Sequence, residues 1–217
     1  MNTLPSIIKN YILKIIKYNY IILRYIYISL NFCYITMFEK LQKKFENEDQ
    51  KREEVILLSR EIIRLSKKII SSIHNEKINS AKKFKIKIDK KVKEIKKKNN
   101  HTSGSYTIAL QEYVEAILLL EYSTTNKILN YNRINCSPEE YLLGVCDFVG
   151  ELQRRAVLKI SRGDFVTISK IYKDVSEIYD SLLNFNFRGE LRKKFDSIKY
   201  IMIKMEDLIL QLKLKGK

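Results

Sequence analysis

An all-α fold, a bundle of six helices or seven if the N-terminal segment counts separately, follows from three observations on this 217-residue chain. Turn-forming residues are scarce: there are six glycines and two prolines, and neither type occurs between Pro5 and Gly104. Hairpins and tight turns depend on such residues, so a β-rich fold is disfavoured. Apolar residues recur at spacings of three and four, the period of a helix buried along one face. Helix start and stop signals punctuate the second half of the chain.

Residues 1–36 are apolar and aromatic with scattered Lys and Arg, and composition changes abruptly at "MFEKLQKKFENEDQKREE". The longest uncharged run, between Arg24 and Glu39, is short of a full membrane span. Three readings stand: a signal-anchor or targeting segment, an amphipathic membrane-surface helix, or a dispensable extension with the folded domain occupying 37–217. A membrane partner is the less expected of these outcomes.

A long first helix is expected over 38–74, with Val55, Leu58, Ile62, Leu65 and Ile69 on one stripe. The next, over 79–98, has a narrow stripe of Phe84, Ile88, Val92 and Ile95 among ten lysines, which reads as a solvated face or as an RNA-binding face. "NNHTSGS" breaks the chain. A third helix spans about 106–126. The fourth opens at "CSPEE", where Ser137 can cap, Pro138 suits the first helical position and Glu140 completes a capping box. It runs to about Ser161 and stops at "RGD". The fifth spans about 164–183, "NFNFRG" forms a loop, and the sixth spans about 190–215, with Gly216 as its cap.

The net charge is +16, of which residues 1–40 carry +4, so the body is strongly basic. That favours a polyanionic partner, nucleic acid or an anionic membrane. The abundance of Ile, Lys, Asn and Tyr offers a competing source for part of the lysine, an A/T-rich coding bias. Cys33, Cys136 and Cys146 are odd in number and form no C-x-x-C pair. They disfavour a disulfide framework or a zinc site and fit a reducing, cytoplasmic or nuclear compartment. With only His74 and His101, histidine-based metal or triad chemistry has little to work with.

Acidic residues in the third and fourth helices break the pattern. In "ALQEYVEAILLLEY", Glu112 and Glu115 lie about 60° apart around a helix that is otherwise almost wholly apolar. In "YLLGVCDFVGELQRRAV", Asp147 and Glu151 lie about 40° apart, with Gly144, Gly150 and Arg154 beside them. Leu142, Val145, Cys146, Phe148, Val149 and Leu152 form the opposite, apolar side. Carboxylates buried without a partner are costly, so a cation should stand opposite: Arg, Lys or a metal. Four clustered carboxylates suit a hard divalent ion such as Mg²⁺, and with a basic surface they suggest phosphodiester hydrolysis. The competing reading is structural: Glu151 paired with Arg155, and Glu112 or Glu115 with lysines of a neighbouring helix.

The segments "LQEYVEA" and "EYLLGVCDFVGELQRRAV" resemble the two signatures of translin-associated factor X, the TRAX branch of the translin family. "FEKLQKKFENEDQKREEVILLSREIIRLSKKIISSIH" is similar to that family's first helix and "FRGELRKKFDSIKYIMIKMEDLILQLKLKG" to its last, so the likeness covers about 37–216. The resemblance implies a translin-like bundle. It also implies assembly with translin as a hetero-octamer, and a Mg²⁺-dependent endoribonuclease that cuts single-stranded RNA and assists RNA silencing. It places the catalytic and metal-binding acids at Glu112, Glu115, Asp147 and Glu151. Arg154 or Arg155 would contact the scissile phosphate or form a structural salt bridge. The chain departs from the TRAX pattern in a short segment between the two signatures and in "KKFDSIKY", which leans toward translin. The alternative function is a non-catalytic, translin-like protein binding RNA or single-stranded DNA.

Overall fold

The computed structural model describes residues 6–98 and 104–214. Six α-helices follow one another: α1 (Ser6–His74), α2 (Ile78–Lys96), α3 (Gly104–Thr125), α4 (Pro138–Ser161), α5 (Val166–Leu182) and α6 (Gly189–Leu214). A short 3-10 turn, Tyr131–Arg133, interrupts the α3–α4 connection, and no strand occurs among the described residues. The all-α expectation holds. The expected helix start near Phe38 does not: α1 is already helical from Ser6. The physical reason is the lack of any glycine or proline after Pro5 to end it.

Contacts divide the chain into two units, Met1–Lys51 and Arg52–Lys217. The boundary lies some way beyond the compositional change at Met37. In the first unit the described side chains are exposed apart from Thr36, which is half-buried. They include large apolar residues such as Leu13, Ile22, Leu23 and Phe32. By length and composition this part of α1 is apolar enough to cross a membrane. A single charge such as Arg24 within such a stretch does not outweigh the apolar residues around it.

The second unit holds the core. Val55, Leu58, Ile62 and Ile69 of α1 are buried as their spacing requires, and so are Ile88, Val92 and Ile95 of α2. Helix α3 is buried nearly all round: Ala109, Leu110, Val114, Leu118 and Leu119 are at most 1% exposed. It packs most extensively on α4 and also on α2, while α4 packs on α5 and α6. The apolar side of α4 faces inward, with Phe148, Val149 and Leu152 fully buried.

Local chemistry sets the boundaries. Ser137 Oγ accepts from Glu140 N at 3.2 Å, and Ser137 N donates to Glu140 Oε2 at 2.7 Å, completing the expected capping box with Pro138 in the first turn. At the other end of α4, Gly163 takes φ 84°, the left-handed conformation that stops a helix at little cost to glycine.

Candidate acidic site and its cations

Gly144 fixes how closely α3 and α4 approach. A Cβ there would lie 2.6 Å from both Cβ and Cγ1 of Val114 and 3.0 Å from the Gln111 carbonyl oxygen. The missing side chain lets the two backbones meet one turn from the acids. Gly150 is different, since a Cβ there would meet nothing within 4 Å.

This close crossing gathers the four acids into one electrostatic group. Glu115 is buried, and its carboxyl is pushed up to about 8, first by burial and then by the charges of Asp147, Glu112 and Glu151. Glu112 is half-buried and also raised. Burial is the main cause, the charges of Asp147 and Glu151 add to it, and Lys67 and Lys194 oppose it. Neither Glu112 nor Glu115 has a hydrogen bond or ion pair at its carboxyl among the described residues. The two acids of α4 are already engaged. Lys194 Nζ lies 2.7 Å from both Oδ1 and Oδ2 of Asp147, and the Gln111 amide donates to the same carboxylate. His74 Nε2 donates to Glu151 Oε2, and Arg154 stands 3.6 Å from that oxygen.

The cation expected opposite the acids is therefore Lys194 of α6, joined by His74 at the end of α1. Both escape a reading of the sequence. Lys194 is one of a Lys-Lys pair with nothing to mark it, and His74 is a lone histidine more than 70 residues from its partner. The expected pairing of Glu151 with Arg155 does not occur. His74 and Arg154 take that carboxylate, whereas Arg155 is half-buried among Tyr122, Glu76, Arg162 and Asp164. The second histidine, His101, lies outside the described residues, and so does the side chain of Cys33. His74 Nδ1 is buried without a hydrogen-bond partner.

The arrangement bears on a divalent ion in two ways. The donor set is all-oxygen, includes a buried and unpartnered carboxyl, and carries mutual repulsion that a cation would relieve. As placed, no group of three or more His, Cys, Asp or Glu among the described residues is close enough to hold one ion. The residue types fit the ion, and Lys194 stands where its charge would compete with it.

A helical bundle whose two central helices gather four carboxyls, one of them paired with a lysine of a third helix, is the class that fold and site define. The sequence pattern of the translin family matches residues 50–216. The chain belongs to the translin family. It is 32% identical over 144 residues to an uncharacterised protein of Methanocaldococcus jannaschii, covering 62% of this chain and 64% of that one. It is 26% identical over 147 residues to mouse translin-associated protein X, covering 51% and 50%. It is 30% identical over 117 residues to human translin, covering 51% of each. The chain thus spans about half to two thirds of the length of these curated relatives. Among solved structures, it is similar to apo-NeC3PO, with a TM-score of 0.74, 28% identity and coverage of 80% of this chain and 95% of that one. The AfC3PO–duplex RNA complex also gives 0.74, with 26% identity and coverage of 82% and 96%.

Proposed function

We propose that this protein is a TRAX-like catalytic subunit of a Mg²⁺-dependent endoribonuclease, assembled with translin and acting on single-stranded RNA. The observation that carries the reading is Glu115: a buried carboxyl without a partner, facing the charges of Asp147, Glu112 and Glu151. A structural salt-bridge network would not leave such a group unpaired, because burial without compensation is costly. The family membership and the neighbour that holds duplex RNA support RNA as the partner; the single-strand preference is part of the proposal.

A divalent ion held by Glu112, Glu115, Asp147 and Glu151 would ease ionisation of the attacking water and offset charge gathering on the phosphate. The protein's own groups do the rest. Glu115 gives up the proton that burial favours. Lys194 releases Asp147 and, still beside the site, can pair with a phosphate oxygen. His74 and Gln111 keep Glu151 and Asp147 in place through their hydrogen bonds. Arg154 is exposed and held only at 3.6 Å by Glu151, so it is the freer of the two arginines to reach phosphate.

The test is cleavage of a single-stranded RNA by the chain with translin present, with and without Mg²⁺, using Asp147→Asn and Glu151→Gln. Both should lose most cleavage, because groups acting as a unit are not additive, while RNA binding survives. Wild-type-like cleavage by both variants would sink the reading.

A second reading, a non-catalytic RNA- or DNA-binding protein of the translin type, is favoured by one observation. Asp147 is already paired within the chain with Lys194, and Glu151 is engaged by His74 and Arg154. Mg²⁺-independent binding without cleavage is its signature.

A further inference from the structure

Along residues 54–68 of α1, two acids are paired and, among the described residues, four cations are not. Glu54 accepts from Lys98 at 2.6 Å and Glu61 pairs with Lys91 of α2 at 2.9 Å. Its cations Arg60, Arg64, Lys67 and Lys68 have no ion pair among the described residues. They fall at intervals of four, three and one residues, so they share one face, roughly one cation per turn of about 5.4 Å. That is on the order of the spacing between successive phosphates of a nucleic-acid strand.

These four side chains line an open groove of 590 Å³ with Ile63, Ser71 and Ser72 of α1 and Phe84 of α2. The lining contains no acid. Phe84 is half-buried, and the Lys68 ammonium sits over its ring, 5.5 Å from the centroid. A file of unpaired cations beside an aromatic face is the combination that holds a single strand, with phosphates on the charges and a base on the ring. The groove also ends near the acids: Ser71 in its lining lies three residues, less than one helical turn, from His74, which donates to Glu151.

We propose that the groove lined by Arg60, Arg64, Lys67, Lys68 and Phe84 holds the backbone of single-stranded RNA and leads it, past Ser71, toward the acidic site between α3 and α4. The substrate class rests on the function proposed above, and the groove itself rests on its own geometry. Lys67 is then a positioning residue, one of the cations that hold the strand in the groove. Duplex RNA, whose bases are already stacked, gains nothing from Phe84.

The experiment is fluorescence anisotropy of the full chain with a labelled single-stranded oligoribonucleotide, in EDTA, across a range of salt. The Arg64→Gln/Lys67→Gln double variant should weaken binding at least tenfold. Loss of two phosphate contacts should also flatten the slope of log affinity against log salt by about 1.4. The charge-matched control Lys87→Gln/Lys90→Gln, on exposed lysines of α2 outside the groove, should change affinity less than twofold. Phe84→Leu should weaken single-strand binding severalfold and leave duplex binding unchanged. Equal losses in the groove and control doubles would overturn the proposal in favour of diffuse charge, and wild-type affinity in the groove double would overturn it outright. Equal loss of single-strand and duplex binding in Phe84→Leu would overturn the single-strand assignment. If the groove double loses binding but no cleavage is found for any form, the groove stands and the nuclease reading falls. If Asp147→Asn loses cleavage while the groove double binds normally, the reverse holds.

Discussion

Lys194 of α6 places its ammonium 2.7 Å from both carboxylate oxygens of Asp147 on α4. About a quarter of each side chain remains exposed, so the pair is partly desolvated and worth more than a surface salt bridge. The ammonium does within the chain what a bound cation would do from outside: it balances one charge of a four-carboxylate group. Lys194→Met should therefore separate two effects. Without divalent ions the variant should lose about 1–3 kcal/mol of stability, since Asp147 keeps only the Gln111 amide. In Mn²⁺ titrations followed by electron paramagnetic resonance, it should bind the ion severalfold more tightly than wild type, because the competing charge is gone. Unchanged or weaker Mn²⁺ binding would show that Lys194 supports the site rather than competing for it.

The two glycines of α4 should respond to alanine with opposite signs. At Gly144 the new Cβ meets the branched carbon of Val114 at 2.6 Å, and neither backbone can yield without shifting α3 against α4. Gly144→Ala should cost about 1–3 kcal/mol from overpacking, more than the ~1 kcal/mol gained in helix propensity. Gly150→Ala meets nothing and should be neutral or stabilising by up to ~1 kcal/mol. Urea denaturation of the two variants checks the pair.

Glu115 makes stability depend on pH. Its folded carboxyl titrates near 8, above the ordinary carboxylate range, so between that range and about pH 8 the folded chain holds a proton that the unfolded chain does not. Stability present at low pH is lost as pH rises through about 8. Glu115→Gln carries no such proton. In chelator, its melting temperature should exceed that of wild type at pH 9 and converge with it toward pH 5. A constant difference across that range would mean that Glu115 is charged throughout.

Phe148 and Leu152 lie at the centre of the α4 packing, both with no exposed surface. Phe148 also packs edge-on against Tyr122 of α3, with ring centroids 5.8 Å apart. Phe148→Ala should cost about 3–5 kcal/mol and Leu152→Ala about 2–5 kcal/mol by calorimetry or urea melts. A cost under 1 kcal/mol for either would mean that α4 is rotated from the phase its apolar residues set.

The sequence by itself determined the helices and which faces they bury, because both are local properties. The spacing of Val55, Leu58, Ile62 and Ile69 and the capping box at Ser137 and Glu140 are written in consecutive residues. It also marked Glu112, Glu115, Asp147 and Glu151, because carboxylates at helical spacing in apolar surroundings stand out in one dimension. It did not show that α1 runs unbroken from Ser6, since a change of composition at Met37 is not a change of backbone conformation. Nor could it name the partners. Lys194, His74 and Gln111 reach the acids only because Gly144 lets α3 meet α4 closely, while α6 and the end of α1 close over the same cleft. Which charges meet across helices depends on the distance and rotation at which they pack. Those are set by side chains far apart in sequence, and only the tertiary structure decides them.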